Sequence, residues 1–225
     1  DSRKGADSDH LGEDWARRVP EFPVDGGWVR ASLEDAQGRL NINNLARKAR
    51  RSAAVGGEAA RFTPAQRRFI RLLQTFESPG LSQPEAIAIA EAVIDWLDSD
   101  DEVTGYGGAE KDYYLRLRQP YRPANGYLVD TSELRLVRGV TPELYQRLEY
   151  FIAALHPEAA LNINTAPVPV LRTINRQDEL LPLDIYAATS LARWRTGNCT
   201  RKRRPVAGNN LAMDSPAPIP AGADA

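Results

Sequence analysis

"TPAQRRFIRLLQTFESPGLSQPEAIAIAEAVIDWLDSD", residues 63–100, begins two helices in the same way. Thr63 is followed by Pro64 and, three positions on, by Gln66. Ser82 is followed by Pro84 and Glu85. Each start pairs a hydroxyl N-cap with a first-turn proline and a Gln or Glu that reaches back to the cap. Phe69, Ile70, Leu72, Leu73 and Phe76 form the apolar stripe of the first helix, and "SPG" at 78–80 stops it. Ile87, Ala90, Ile94 and Leu97 run along one face of the second. Two packed helices are therefore expected at the centre of a helical body.

The second helix runs into "DWLDSDDEVTGYGGAEKDYY", residues 95–114, where seven carboxylates share one local cation, Lys111. Calcium takes six to eight hard oxygen ligands, and this stretch supplies them densely. Asp98 and Asp100 alternate and can face one point, with Asp101 and Glu102 alongside. Gly105, Gly107 and Gly108 permit a fold-back that brings Glu110 and Asp112 to the same place. An EF-hand is excluded, because Val103 stands where that loop needs glycine and Glu110 arrives one residue late. Two readings stand at this point: a calcium loop of its own kind, and a solvated acidic loop after a helix C-terminus. The helix dipole disfavours anions at that end, and the aromatics of "YGG" and "DYY" point to an ordered loop.

Composition narrows the class. The 225 residues carry a formal net charge of −1, so there is no bulk attraction to nucleic acid or anionic lipid. With 42% apolar residues the chain can build a core. The run "AIAIAEAVI" at 86–94 is too short to span a bilayer and contains Glu91. Cys199 is the single cysteine, and His10 and His156 lie far apart, so neither a disulfide nor a His- or Cys-based zinc site is expected. No nucleophile elbow, phosphate loop or Cys/His pairing is present, and no enzyme is expected.

Outward from the helical pair, "LGEDWARRV" at 11–19 reads as a short amphipathic helix. Trp28 to Leu33 and Arg39 to Asn43 read as a hairpin around "EDAQG". Residues 44–62 read as a helix end and a flexible loop. The stretch 130–155 reads as two more helices, the second starting at Thr141–Pro142 and burying Leu144, Leu148, Phe151, Ile152 and Leu155. "LNINTAPVPVL" at 161–171 reads as an extended run into a short helix capped by Thr165. "LNIN" occurs at 40–43 and again at 161–164, which reads as two separate strand ends with Asn turns rather than a repeat. The basic runs "RKARR" at 47–51 and "RKRR" at 201–204 read as solvated surface, and the Pro/Ala/Gly-rich tail as disordered. "LRLVRGVTPELYQRL" resembles a helix-hairpin-helix unit, in which Arg135, Arg138 and Arg147 would meet phosphates; a nucleic-acid-binding protein is the alternative function.

Taken in order, "GEDWA", "DAQGRLNINNL", "DWLDSD", "GAEKDYY", "PYRPANGYLVDTSELRLVRGV" and "LNINTAPVPVL" resemble the minor pseudopilin K subunit of bacterial type II secretion systems, from about Gly12 to Leu171. The resemblance implies an α+β fold: a pilin-like antiparallel sheet with an N-terminal helix and a large inserted all-α domain, SAM-like or helix-hairpin-helix-like. On that plan residues 1–62 form the N-terminal part of the pilin-like domain, a helix stub plus a β-hairpin. Residues 63–160 form the insert with its acidic calcium loop at 95–114, 161–194 a return segment with short helices, and 195–225 a disordered or divergent tail. It implies calcium, held by Asp98, Asp100 and Glu110, with Asp95, Asp101, Glu102 and Asp112 as further ligands. The implied partners are the minor pseudopilins I and J, and also H, at the tip of the pseudopilus. The implied place is the periplasm, with membrane contact only through an N-terminal helix absent from this sequence. After about Leu191 the likeness to the family ends.

Overall fold

The computed structural model describes residues 9–47, 57–78, 80–176 and 179–201, with side chains as far as Trp194. Helix α1 (Pro64–Leu73) and helix α2 (Gln83–Leu97) pack against each other as the sequence predicts. Thr63 Oγ1 accepts the Gln66 backbone N–H at 3.2 Å, and Gln66 Oε1 accepts the Thr63 N–H at 2.8 Å. Glu85 closes the α2 start in the same way on the Ser82 N–H, at 2.8 Å. These contacts satisfy first-turn donors that would otherwise lack partners. The cap of α1 also ties the helix to the rest of the chain, because Gln66 Nε2 donates to the Leu45 carbonyl at 2.8 Å. Phe69, Ile70, Leu72 and Leu73 are fully buried in one core with Ala86, Ala90 and Val93 of α2. Each such side chain removed from water contributes roughly 1.5–3 kcal/mol.

Helix α3 (Lys111–Tyr114) and helix α4 (Pro142–Leu148) are short, and between them Thr131–Leu136 forms a 3-10 turn capped by Asp130. Gly139 turns the chain with φ 84°, and a Cβ there would meet Ile89 Cγ1 at 2.9 Å. Helix α5 (Val168–Leu171) packs on helix α6 (Ile185–Arg201). The strip between them is held by Arg71. This buried guanidinium donates to the carbonyls of Thr173 at 2.8 Å, Arg176 at 2.5 Å and Glu179 at 3.0 Å. Burial lowers its pKa to about 10.

The strands are short. Strand β1 (Phe22–Val24) pairs antiparallel with β2 (Gly27–Val29), and β3 (Leu40–Asn41) pairs parallel with β4 (Ile152–Ala153). Asparagines extend the second pairing: Asn41 Nδ2 donates to His156 O at 2.8 Å, Asn43 Nδ2 to Leu155 O at 2.9 Å and Asn44 Nδ2 to Ala159 O at 3.1 Å. The two "LNIN" copies make the same local turn. Asn41 Oδ1 accepts from Asn43 N at 3.2 Å, and Asn162 Oδ1 from Asn164 N at 3.0 Å.

Several sequence expectations give way here. The hairpin lies at 22–29, around Asp25–Gly26, and not across 28–43. "EDAQG" instead forms a 3-10 turn at Ala36–Gly38, because Asp35 caps it by accepting from Gln37 N. Leu40 then pairs with a strand 112 positions downstream, which a local turn signal does not reveal. Residues 11–19 contain only the 3-10 turn Asp14–Ala16, with Leu11 and Val19 exposed. Helix α4 stops at Leu148, so Ile152 is buried from a strand rather than a helix. Pro167 precedes α5 as its cap, while the Thr165 hydroxyl donates to Asp35 Oδ2 at 2.7 Å. Helix α6 runs to Arg201, into the segment read as a tail; residues 202–225 lie outside the described residues, as does most of 47–51. Helix and small sheet together keep the fold α+β.

Candidate metal centre

The loop after α2 is built against the helix it leaves. Ala88, Glu91 and Asp95 lie on one face of α2, three and four residues apart. The loop glycines lie directly upon them. A Cβ at Gly105 would stand 1.9 Å from Glu91 Oε1, one at Gly107 2.2 Å from Ala88 Cα, and one at Gly108 2.3 Å from Asp95 Oδ2. Gly105 also has φ 61°. "TGYGG" is therefore glycine-rich because backbone touches helix there.

Two buried carboxylates fasten this loop. Glu91, 2% exposed, accepts the Gly107 N–H at 2.8 Å through Oε2, and through Oε1 pairs with Arg61 at 2.5 Å. Asp95, 0% exposed, accepts the Thr104 N–H at 3.0 Å. Burial pushes the Asp95 carboxyl up, against the Thr104 and Ala109 hydrogen bonds that pull it down. From the far side Arg138 Nη1 donates to the Gly108 carbonyl at 3.0 Å while its guanidinium covers the Tyr113 ring at 4.9 Å. Trp96 packs edge to face on Tyr114 and Tyr121, with Trp96 and Tyr114 ring centres 5.3 Å apart.

The fold-back delivers Glu110 to Asp98 and Asp100. One carboxylate oxygen from each of the three lies within 4.8 Å of the others. Asp98 is the C-cap of α2, and its N–H donates to Ile94 O at 3.0 Å. Asp100 Oδ1 accepts from Glu102 N at 3.0 Å, and Asn125 Nδ2 holds the Asp100 carbonyl at 3.1 Å. Glu110 is 4% exposed, and neither of its carboxylate oxygens has a hydrogen-bond partner. A buried carboxylate in that condition needs a proton or a cation. Burial, and then the charges of Asp95, Asp98 and Asp101, push its carboxyl up to about 7. The donor set is all oxygen, which fits a hard divalent ion such as calcium and does not suit a soft metal.

Of the seven acids named from the sequence, the structure brings three together. Asp95 is turned to loop amides instead, and Asp101, Glu102 and Asp112 are exposed and outside the trio. Sequence reasoning missed Glu91, Arg61 and Asn125. Glu91 did carry a signal, a lone acid inside an apolar helical run, which marks a buried charge with a partner. The nucleic-acid alternative gains no support: Arg138 is spent on Gly108 and Tyr113, and Arg135 lies over the Tyr145 ring at 5.9 Å.

Fold and site together define an α+β protein whose acidic loop is seated on a helix face. A family model described as type II secretion system (T2SS), protein K matches residues 38–158. Type II secretion system protein K of Pseudomonas aeruginosa is 39% identical over 76% of this chain and 49% of its own length; that of Aeromonas hydrophila is 36% identical over 69% and 46%. In the crystal structure of the GspK-GspI-GspJ complex from enterotoxigenic Escherichia coli, one chain matches with TM-score 0.61 and 31% identity. The match covers 73% of this chain and 56% of that one. The chain belongs to the type II secretion system protein K family. It spans about half the length of the curated relatives it matches. Among the described residues no helix is long and apolar enough to cross a membrane.

Proposed function

We propose that this chain is the periplasmic part of a non-catalytic minor pseudopilin that assembles with the minor pseudopilins I and J, and with H, at the tip of a type II secretion pseudopilus, and that calcium fixes its acidic loop. The observation that carries the assembly reading is the likeness, over most of this chain, to a protein crystallised as a GspK-GspI-GspJ complex. The short strands would belong to a pilin-like sheet and the helical body to an insert within it. A body of that bulk is tolerable only where no further subunit stacks above, which favours the end of a fibre over its shaft. Anchorage in the inner membrane would come from a helix preceding this sequence. Export of folded proteins is the process the assembly would serve.

Asp98, Asp100 and Glu110 would hold the calcium, with backbone carbonyls and water completing its shell. The ion would neutralise the trio and satisfy the two Glu110 oxygens that have no hydrogen-bond partner. Co-purification of this chain with its own I and J subunits tests the assembly, and a cross-linking map placing it mid-fibre overturns the tip position. For the ion, calcium is expected to raise the melting temperature and chelation to lower it, with Asp98→Ala plus Asp100→Ala abolishing the difference. An unchanged melting temperature on chelation overturns the metal assignment.

A further inference from the structure

We propose that Arg61 and Glu91 are positioning residues for the calcium loop: an ion pair outside the ligand set that fixes Glu110 by locking the backbone three residues before it. The inference rests on the calcium reading above.

Glu91 divides its carboxylate between two tasks. Oε2 accepts the Gly107 N–H at 2.8 Å, and Oε1 meets Arg61 Nη2 at 2.5 Å. The loop cannot rise away without breaking the first bond, and it cannot sink further, because Gly105 and Gly107 already touch Glu91 and Ala88. Arg61 sits 30 positions upstream, at the end of the 3-10 turn Glu58–Arg61 that leads into α1. Its guanidinium also approaches Glu58 at 3.5 Å and lies over the Phe62 ring at 5.2 Å, so its own place is set. The chain segment entering the helical pair is thereby joined to the loop leaving it.

Charge and geometry predict opposite signs when Arg61 is removed. Deleting a nearby cation makes the region more negative and, by Coulomb's law alone, strengthens calcium binding. Loss of a positioning contact frees the Glu91 carboxylate, loosens Gly107 and weakens binding. Outer-shell partners of this kind are typically worth 10–100-fold in metal affinity. The geometry here favours the second effect, since the carboxylate that Arg61 holds bonds the loop directly.

The test is calcium titration by calorimetry on the unaltered protein, Arg61→Ala, Arg61→Lys and Glu91→Gln. Folding of each is checked by circular dichroism at saturating calcium. Arg61→Ala is expected to bind calcium about tenfold more weakly. Arg61→Lys keeps the charge and loses the fork, and is expected to fall between. Glu91→Gln retains an acceptor for Gly107 and loses the ion pair; it is expected to weaken binding too, and it carries the test if Arg61→Ala does not fold. Calcium affinity unchanged or raised in Arg61→Ala, beside normal binding by the unaltered protein, overturns this inference alone. No calcium binding by the unaltered protein overturns the calcium reading as well.

Discussion

Glu110→Gln separates the cost of one buried charge from everything else in the loop. The Glu110 carboxyl has an ordinary value of 4.5 and is pushed to about 7 in the fold. Between those values the fold keeps a proton that the unfolded chain has released, so stability falls as pH rises through the window. The penalty is absent below 4.5 and complete above 7. Its size is about 3 kcal/mol, from the separation of the two values. For a chain of this length 1 kcal/mol moves the melting temperature by roughly 2–4 °C, so about 6–12 °C is at stake. The assay is the melting temperature at pH 5 and pH 8 in a chelator, for the unaltered protein and for Glu110→Gln. The buried amide has its own cost, but that cost does not titrate, so the difference between the two pH dependences isolates Glu110. The unaltered protein should lose the extra 6–12 °C, and saturating calcium should abolish the loss by taking the place of the proton. Parallel pH profiles of the two proteins in chelator would refute the reasoning.

Other outcomes follow from particular contacts. Gly107→Ala places a methyl 2.2 Å from Ala88 Cα and should destabilise by about 2 kcal/mol or more, read by urea unfolding. Arg71→Ala removes the guanidinium donors to the carbonyls of Thr173, Arg176 and Glu179. It should cost about 2–4 kcal/mol and raise hydrogen exchange across residues 173–176 and in α6 before it does so in α2. Asn43→Ala removes donors to Leu128 O and Leu155 O and an acceptor for Leu128 N, and should lower stability by about 2–3 kcal/mol in thermal melts. Duplex DNA should give no gel shift at 50 mM salt, because Arg138 is already engaged inside the protein.

Local chemistry was the most legible part of the sequence. The capping boxes at Thr63 and Ser82, and the cap at Thr141, were readable because each is a contact within four residues. The acidic stretch was readable as a group, because acids flanking a run of glycines can only converge by folding back; the family resemblance, not the spacing, singled out Asp98, Asp100 and Glu110 within it. Long-range pairing was not legible. Nothing near Leu40 names Ile152 as its neighbour, and the turn-like "EDAQG" drew the hairpin to the wrong place. Asp95 came into the ligand set through the family resemblance. In the fold its carboxylate accepts from Thr104 N, an amide that comes within reach only once the glycines have laid the loop on α2.

The parallel pairing of Leu40 with Ile152 has a mechanical meaning. The chain passes through one of these strands before the helical pair and through the other after α4, running in the same direction. Tension applied from outside pulls the entering strand backward and the leaving strand forward. That loads the ladder bonds in shear, all at once, together with the clamps of Asn41, Asn43 and Asn44. An antiparallel exit would peel open one bond at a time. A small knot of hydrogen bonds at the base therefore shields the helical pair and its loop from traction along the chain.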